Sequence, residues 1–566
     1  MKKFLSKRKI LIAILVLAAI LRFWNLGNVP PSPSLDEASI GYNAYSVLKT
    51  GRDEFKEFPI ISQRGYDDWR RSTYLFLVVP FVAALDLNVV SVRLPAVILS
   101  ILTIWATYHI VLLLFSKPSG FASAVAFLTA FMLAISPWHI YISRLGHESN
   151  ACLAFLVLGV LSLLKGLKNK SGILFSVIFF TLSMISYYSG QVFLPLFAVG
   201  LLIIFRRNIL SILSSNRKIL TVFCIFMILL IPVFWAIFSP NALVRFQGTS
   251  TFKPESHPEI FAQEVILRNR AVEKNDIIGA LFYNRHLYPS KVFIEGYVSH
   301  FSPQWLFENL PDNKFKASKM GLLYLWEIPF ILIGIIGFLF SHAVDGKTKK
   351  FIFLWFFLAP LPAAFATQAP HAMRSYNFLP VWQVFTAFGL AYVFYKLPKF
   401  RILTISVFIL IILLSLLTFY KNYFIVFPKE QSSSFQYSFS KTVPYILSQQ
   451  KNYKKIVVSN RRDLNQSYMF FLFYSKYNPV LYQKQGGSVS GGFAQSHKIN
   501  GVEFRKIDWK TDYYSKDNLY IGGISDFYIG DFLDSSKPIN PILEFKNLDG
   551  SVGAFAVKPK WEKNTY

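Results

Sequence analysis

Apolar runs close to 20 residues long recur along the first 420 positions, and this one feature limits what the chain can fold into. The first reads ILIAILVLAAILRFW, beginning at Ile10. A run of that length crosses a hydrocarbon layer of roughly 30 Å as a helix, because lipid offers the backbone no hydrogen-bond partners and the segment must satisfy its own. Eleven spans are expected, near residues 10–26, 93–115, 121–141, 150–167, 171–188, 191–205, 219–239, 320–340, 351–366, 379–395 and 402–420. Composition agrees: only 16% of residues are charged and 53% are hydrophobic, where soluble domains carry about 25% charged residues. The expected class is a mainly α polytopic membrane protein.

The charges between the runs give the threading. The segments 1–9, 116–120, 165–170, 206–218, 341–350 and 396–401 hold 19 Lys and Arg against one acid, Asp345. Basic loops stay on the cytoplasmic side, so these segments are expected inside. The same clustering sets the net charge of +28 apart from that of a nucleic-acid binder. The run STYLFLVVPFVAAL, residues 72–85, is short and holds Pro80. Counted as a span it would turn every later basic loop outward, so it is expected to lie in the outer interface. The N-terminal run follows MKKFLSKRK but has no small-x-small cleavage site, which reads as an uncleaved anchor. An odd number of spans then places the N-terminus inside and the C-terminus outside the cell membrane. Cys152 and Cys224 fall in separate apolar runs and read as small core residues.

This threading leaves an outer loop at 27–92, a short one at 144–150 (RLGHESN), a long one at 240–319, and a polar region at 421–566. The expected division is a transmembrane catalytic domain, 1–420, and a soluble extracytoplasmic α/β domain, 421–566. In the latter KKIVVSN, GVEFRKIDW, NLYIGG, ILEFKNL and VGAFAVKP read as strands and LNQSYMFFLFYSKY as a helix.

The first outer loop carries LDEASIGYNAYSVLKTGRDEF, with Asp36 and Glu37 at the mouth of the first helix. Charge beside a bilayer is costly and marks function. One carboxylate can serve as a general base on a hydroxyl, and two or three can hold a divalent cation against phosphate charge. The plainer reading is a solvated loop. The order of a first helix, this stretch, an interfacial helix and then SVRLPAV resembles the GT-C glycosyltransferases. It is closest to glycosyltransferase family 39, the protein O-mannosyltransferases and lipid A aminoarabinose transferases. SPWHIYISRLGHESN, GYVSHFSPQWLFEN, LLYLWEIPF and PHAMRSYNFLP are similar to segments of bacterial members. The resemblance spans about residues 1–420 and implies a GT-C-type helical bundle of about eleven spans. It also implies transfer of a sugar from a polyprenyl-phosphate donor to a lipid, glycan or protein acceptor, with inversion.

On that resemblance Asp36 matches the essential first-loop acid and is the expected base, Glu37 is its acidic neighbour in the catalytic pair, and Glu148 matches a second-loop acid. Asp36 and Glu148 are then the candidate ligands of a possible Mg or Mn ion. No nucleotide cofactor is expected. Relatives place a Lys or His followed by prolines near WRRSTY; here Arg70 and Arg71 stand without the prolines, and either could take the donor-phosphate role. His371 and Arg374, in TQAPHAMRSYN, are further phosphate candidates by position.

Other positions have plainer readings beside functional ones. Arg144 and His147 flank Glu148, and Arg144 reads as a partner for it or as an interfacial anchor. Arg93 with Pro95 reads as a helix start. Tyr187, Tyr188 and Gln191 read as interfacial anchors or sugar contacts, Glu327 as a structural acid within a span, and His109 as a packing histidine. The stretch QGGSVSGG, 485–492, lacks the spacing of a dinucleotide loop and reads as a flexible connection. Two rival functions remain. A whole-glycan transferase of oligosaccharyl type shares the architecture but carries a WWD-type signature that this chain lacks. A transporter would place ionisable groups near the midplane, often with repeats, and neither is visible.

Overall fold

The computed structural model describes residues 2–66, 68–115, 120–169, 172–213, 231–235, 237–239, 250–252, 257–284, 286–308, 316–489, 496–508, 512, 517–527 and 541–558. The chain is a multi-pass membrane protein, mainly α, with a small sheet near its C-terminus. Among the described residues five helices are long and apolar enough to span a bilayer: Val89–Leu114, Glu148–Lys168, Tyr188–Ile209, Tyr376–Lys396 and Ile402–Glu430. A sixth is the pair Gly120–Ile135 and Pro137–Ser143, bent by 55°, with Pro137 opening its second half. Shorter apolar helices cover Thr73–Leu85, Gly172–Ser186 and Glu327–Phe340. The expected span at 219–239 lies largely outside the described residues.

In chain order the early helices are α1 (Lys2–Phe23), α2 (Leu35–Thr50), α3 (Thr73–Leu85), α4 (Val89–Leu114), α5 (Gly120–Ile135), α6 (Pro137–Ser143), α7 (Glu148–Asn169), α8 (Gly172–Ser186) and α9 (Tyr188–Leu213). The strands β1 (Ser62–Gly65) and β2 (Asp68–Arg71) form an antiparallel hairpin between α2 and α3.

The chain divides into two compact units. The first comprises Met1–Leu21, Ile98–Ser143 and Glu148–Leu417. In it the helix Glu327–Phe340 crosses the helix Val381–Lys396 at two glycines. A Cβ on Gly334 would lie 1.9 Å from the Phe385 carbonyl oxygen, and one on Gly389 would lie 2.0 Å from that of Phe330. Only glycine lets the backbones approach so closely, a packing device of helices in lipid. The expected span at 320–340 starts later than the hydropathy suggests: residues 320–326 are not helical, so Glu327 is the first helical residue. There its carboxylate accepts from the Tyr324 N–H at 3.0 Å and the Thr386 hydroxyl at 2.9 Å. An acid at a helix N-terminus is favoured by the helix dipole, which explains how an apolar segment keeps a carboxylate.

The second unit comprises Arg22–Val97, Arg144–His147 and Thr418–Tyr566. Its sheet has the order β4-β5-β3-β6-β8-β7. The strands are β3 (Lys455–Val458), β4 (His497–Ile499), β5 (Val502–Phe504), β6 (Asn518–Gly522), β7 (Pro541–Lys546) and β8 (Val552–Val557). β3 is central and pairs in parallel with β5 and β6, while the outer pairs are antiparallel. Strand β6 is buried along its whole length, the pattern of a strand covered on both faces. The helix Ser467–Ser475 buries Tyr468 through Phe473 and lies on α2. A Cβ on Gly41 of α2 would meet Phe473 at 2.7 Å. Tyr42 donates to the Tyr477 carbonyl at 3.1 Å, and the hydroxyls of Ser32 and Tyr474 are 2.8 Å apart. The C-terminal region and the stretch Arg22–Val97 thus belong to one folded body.

Candidate active site

The acidic stretch becomes a site through a helix cap. Ser34 is the N-cap of α2: its hydroxyl accepts from the Glu37 N–H at 3.2 Å, and the Glu37 carboxylate accepts from the Ser34 N–H at 2.8 Å. This capping box satisfies two orphan donors and fixes where the helix starts. It puts Asp36 and Glu37 in the first turn of α2, where the dipole favours anions. One turns outward and the other in, because adjacent helical positions lie on different faces.

Glu37 is the inward one. It is buried, and it accepts from Arg93 Nε at 2.7 Å, from Arg93 Nη2 at 3.2 Å and from the Gly146 N–H at 2.9 Å. Arg93 is itself fully buried and donates to the carbonyls of Leu26, Pro30 and Ser32 at 2.7 to 3.0 Å. The guanidinium fork spends its donors on one carboxylate and three carbonyls, so the pair is a structural rivet. Sequence reasoning took Arg93 as a helix start and missed this role. The signal was there in a Glu and an Arg that flank the same stretch, one at the start of α2 and one in the first turns of α4.

Asp36 is the outward one. Its side chain is 39% exposed, and Oδ1 accepts from Arg70 Nη2. His147 Nε2 stands 4.0 Å from Oδ2. The hairpin delivers Arg70: Gln63 is opposite Arg70 in the ladder and Ser62 opposite Arg71. Residues opposite each other share a face and neighbours alternate, so the two arginines part. Arg71 donates to the Ser62 hydroxyl at 2.7 Å on the other face. Tyr66, in the turn, donates to the Leu35 carbonyl at 2.7 Å and lies 5.7 Å under the Arg70 guanidinium. The loop bearing His147 is tied down by Arg144, which donates to the carbonyls of Arg22 at 2.6 Å and Val29 at 2.8 Å.

The remaining site candidates fall in the first unit. Glu148 opens α7 and is buried. His371 Nδ1 accepts from the N–H groups of Met373 at 3.3 Å and Arg374 at 3.4 Å, and Arg374 donates to the Thr367 carbonyl. The His371 N–H donates to His300 Nε2 at 3.2 Å, while His300 Nδ1 is 2.7 Å from the Gly296 carbonyl. Burial holds the His300 imidazole down near 4, so it is neutral at physiological pH, which suits one accepting and one donating nitrogen. Tyr187, Tyr188 and Gln191 are half-buried at the start of α9, His109 packs edge-on against Trp105 at 4.8 Å, and Cys152 is buried beside the Ser183 hydroxyl at 3.4 Å. Cys224 lies outside the described residues.

Among the described residues no group of three or more His, Cys, Asp or Glu comes together to hold a metal ion. Asp36 is engaged by a guanidinium and Glu37 by another, so the donor set does not fit a divalent cation, and no step is derived through one.

Second-unit chemistry continues away from Asp36. Glu54 is fully buried, and its carboxyl meets Asn43 Nδ2 at 3.1 Å, the Ser488 hydroxyl at 2.6 Å and the Tyr468 hydroxyl at 3.2 Å. Burial raises it to about 7, against which these hydrogen bonds pull it down. The stretch read as a flexible connection contributes here: Ser488 N–H donates to the Glu54 carbonyl at 2.9 Å, and Gly487, at φ +67°, lies so close that a Cβ would be 2.6 Å from that same oxygen. Its residues 490–492 lie outside the described ones.

The fold is similar to that of solved GT-C membrane glycosyltransferases, and the resemblance seen in the sequence holds at that level. The model of the dolichyl-phosphate-mannose-protein mannosyltransferase family matches residues 74–235, a stretch that begins after Asp36 and Arg70. Comparison with curated proteins gives no match. The aminoarabinose transferase ArnT from Cupriavidus metallidurans, solved with undecaprenyl phosphate, is similar over 96% of this chain and 97% of that one, at 9% identity and a TM-score of 0.51. The archaeal oligosaccharyltransferase AglB from Archaeoglobus fulgidus, solved with an inhibitory peptide and a dolichol-phosphate, is similar over 84% of this chain at 12% identity and a TM-score of 0.50. The chain spans 64% of the length of that enzyme's structure.

Proposed function

We propose that the chain is a glycosyltransferase that moves a sugar from a polyprenyl-phosphate donor to an acceptor hydroxyl on the outer face of the membrane, with inversion. The observation that carries this reading is the contrast within one acidic pair. Glu37 is sealed into the fold by Arg93, while its neighbour Asp36 stays partly exposed with Arg70 on one oxygen. Asp36 orients the acceptor hydroxyl and takes its proton as the oxygen attacks the anomeric carbon; the sugar–phosphate bond breaks and polyprenyl phosphate departs. Arg70, paired with Asp36 Oδ1, is the guanidinium that would stabilise the departing phosphate. Its partner Arg71 is turned to Ser62, which favours Arg70 of the two. His371 and Arg374 are secondary phosphate candidates in the first unit. Glu148 would join Asp36 only in a metal-assisted variant of the reaction, which the donor set above does not favour.

The likeness in fold to enzymes solved with dolichol-phosphate and undecaprenyl phosphate supports the lipid donor. The same likeness keeps a whole-glycan transfer in view, and the mass added to the acceptor separates the two. The test is purified protein in lipid, a radiolabelled polyprenyl-phosphate sugar pool, and counts moved to lipid, glycan and protein fractions. Parent activity that survives Asp36→Asn at near its full rate would sink the assignment.

A further inference from the structure

The hairpin face that delivers Arg70 carries a second polar group that the proposed reaction has not used. In the β1–β2 ladder Gln63 stands opposite Arg70 and Gly65 opposite Asp68, so Gln63, Gly65 and Arg70 lie on one face. Arg70 crosses above Gly65 on its way to Asp36: a Cβ built on Gly65 would lie 3.3 Å from Arg70 Nε and 3.5 Å from Cζ. Gln63 is fully buried on that face, and neither its Oε1 nor its Nε2 has a hydrogen-bond partner. A buried amide with both ends unmet costs the fold its full desolvation penalty. Methionine would fill nearly the same volume without it, and a strand that packs as well with an apolar residue gains nothing in stability from glutamine. Sites that keep such a cost are the ones where function has set the residue.

We propose that Gln63 reads the sugar of the lipid-linked donor, its amide pairing with a ring hydroxyl while Arg70 takes the adjoining phosphate. The inference rests on the donor reading above. The chemistry picks the group. A phosphate calls for a cation and an isoprenoid tail for apolar side chains, whereas a neutral amide with donors and an acceptor complements a hydroxyl, which is both. The group beside the phosphate in a polyprenyl-phosphate sugar is the sugar ring. Gln63 is therefore a specificity-determining residue, and it moves no proton.

The test is Gln63→Met in the full chain in lipid nanodiscs, with Gln63→Glu as the isosteric companion. Two readouts are taken: the melting temperature, and the affinities for undecaprenyl phosphate and for undecaprenyl phosphates carrying mannose, glucose, galactose or aminoarabinose. The parent should bind at least one sugar-bearing lipid more tightly than the bare lipid. Gln63→Met should melt at a higher temperature and bind the bare lipid within about twofold of the parent. It should lose about 3- to 10-fold in affinity for the preferred sugar-bearing lipid, as expected for one hydrogen bond. Gln63→Glu should lose it too, since the donor is gone. A lower melting temperature with both lipids weakened together would make Gln63 a structural residue and overturn the proposal. So would a variant that keeps the parent's preference, or a parent that has none. A parent that fails to bind even the bare lipid would instead overturn the lipid-donor reading on which the inference stands.

Discussion

Of the acidic pairs between residues 27 and 92, Asp36–Glu37 and Asp53–Glu54 are treated by the fold in opposite ways. At the first pair charge is met with charge: Arg70 on Asp36, Arg93 on Glu37. At the second the carboxyls meet neutral donors. Asp53 Oδ1 accepts from the N–H groups of Phe55 and Glu57, both at 2.9 Å, and Glu54 meets an amide and two hydroxyls. Burial raises Asp53 to about 6 and Glu54 to about 7. Neutral donors can satisfy a carboxyl's lone pairs without offsetting the cost of ionising it away from water. The second pair thus forms a protonatable clasp between neutral partners, whereas each carboxylate of the first is matched by a guanidinium.

The sharpest way to break this comparison is Asp36→Asn, a nearly isosteric change. Sugar transfer should fall about 10²- to 10⁴-fold while melting temperature stays near the parent value. Next comes Arg93→Met. It strands the buried Glu37 charge and three carbonyls, so it should destabilise the second unit by about 3–5 kcal/mol, read as lost yield and early unfolding. Arg70→Gln should separate site from scaffold. Its ion pair is partly exposed and contributes little to stability, within about 1 kcal/mol, yet polyprenyl-phosphate affinity should fall about 10- to 100-fold.

The smallest effect belongs to Glu54. It keeps its proton in the fold up to about pH 7 but loses it near its ordinary value of 4.5 when unfolded. Between those values the fold binds more protons, so this group's contribution is full below pH 4.5 and declines as pH rises to 7. Asp53 acts in the same direction. His497, stacked on Tyr468 at 3.8 Å and held near 4 by burial, acts the other way. The clean readout is therefore a difference: from pH 5 to 7.5 the parent should lose a few degrees of melting temperature relative to Glu54→Gln, whose amide mimics the protonated acid. Parallel curves would show that Glu54 is not the titrating group.

Much of this was legible in the sequence, and the reasons are local. Runs of apolar residues announce helices in lipid, so Val89–Leu114 and Ile402–Glu430 could be read directly. Alternating hydrophobicity gave the strands around Ile456, Leu519 and Ala554. Ser34 and Glu37 have capping-box spacing, which local chemistry alone requires. The late start of the helix at Glu327 was not legible, because residues 320–326 are as apolar as a span and only tertiary partners fix the boundary. Equally hidden was the parting of Arg70 and Arg71, which depends on a hairpin of four-residue strands with no strong strand signal. The clasp at Glu54 joins residues more than 400 positions apart, and no pattern in a single sequence encodes such a pairing.

The second unit is assembled from residues 22–97, a tetrad at 144–147 and everything from Thr418 onward. The ribosome delivers α2 with Asp36 early, yet Phe473 and Tyr477, which cover that helix, emerge hundreds of residues later. Until then one face of α2 is an apolar surface awaiting its cover, a species prone to misassembly. A nascent chain stopped near residue 420 would hold every apolar span expected from the sequence and still lack the body in which Asp36 sits.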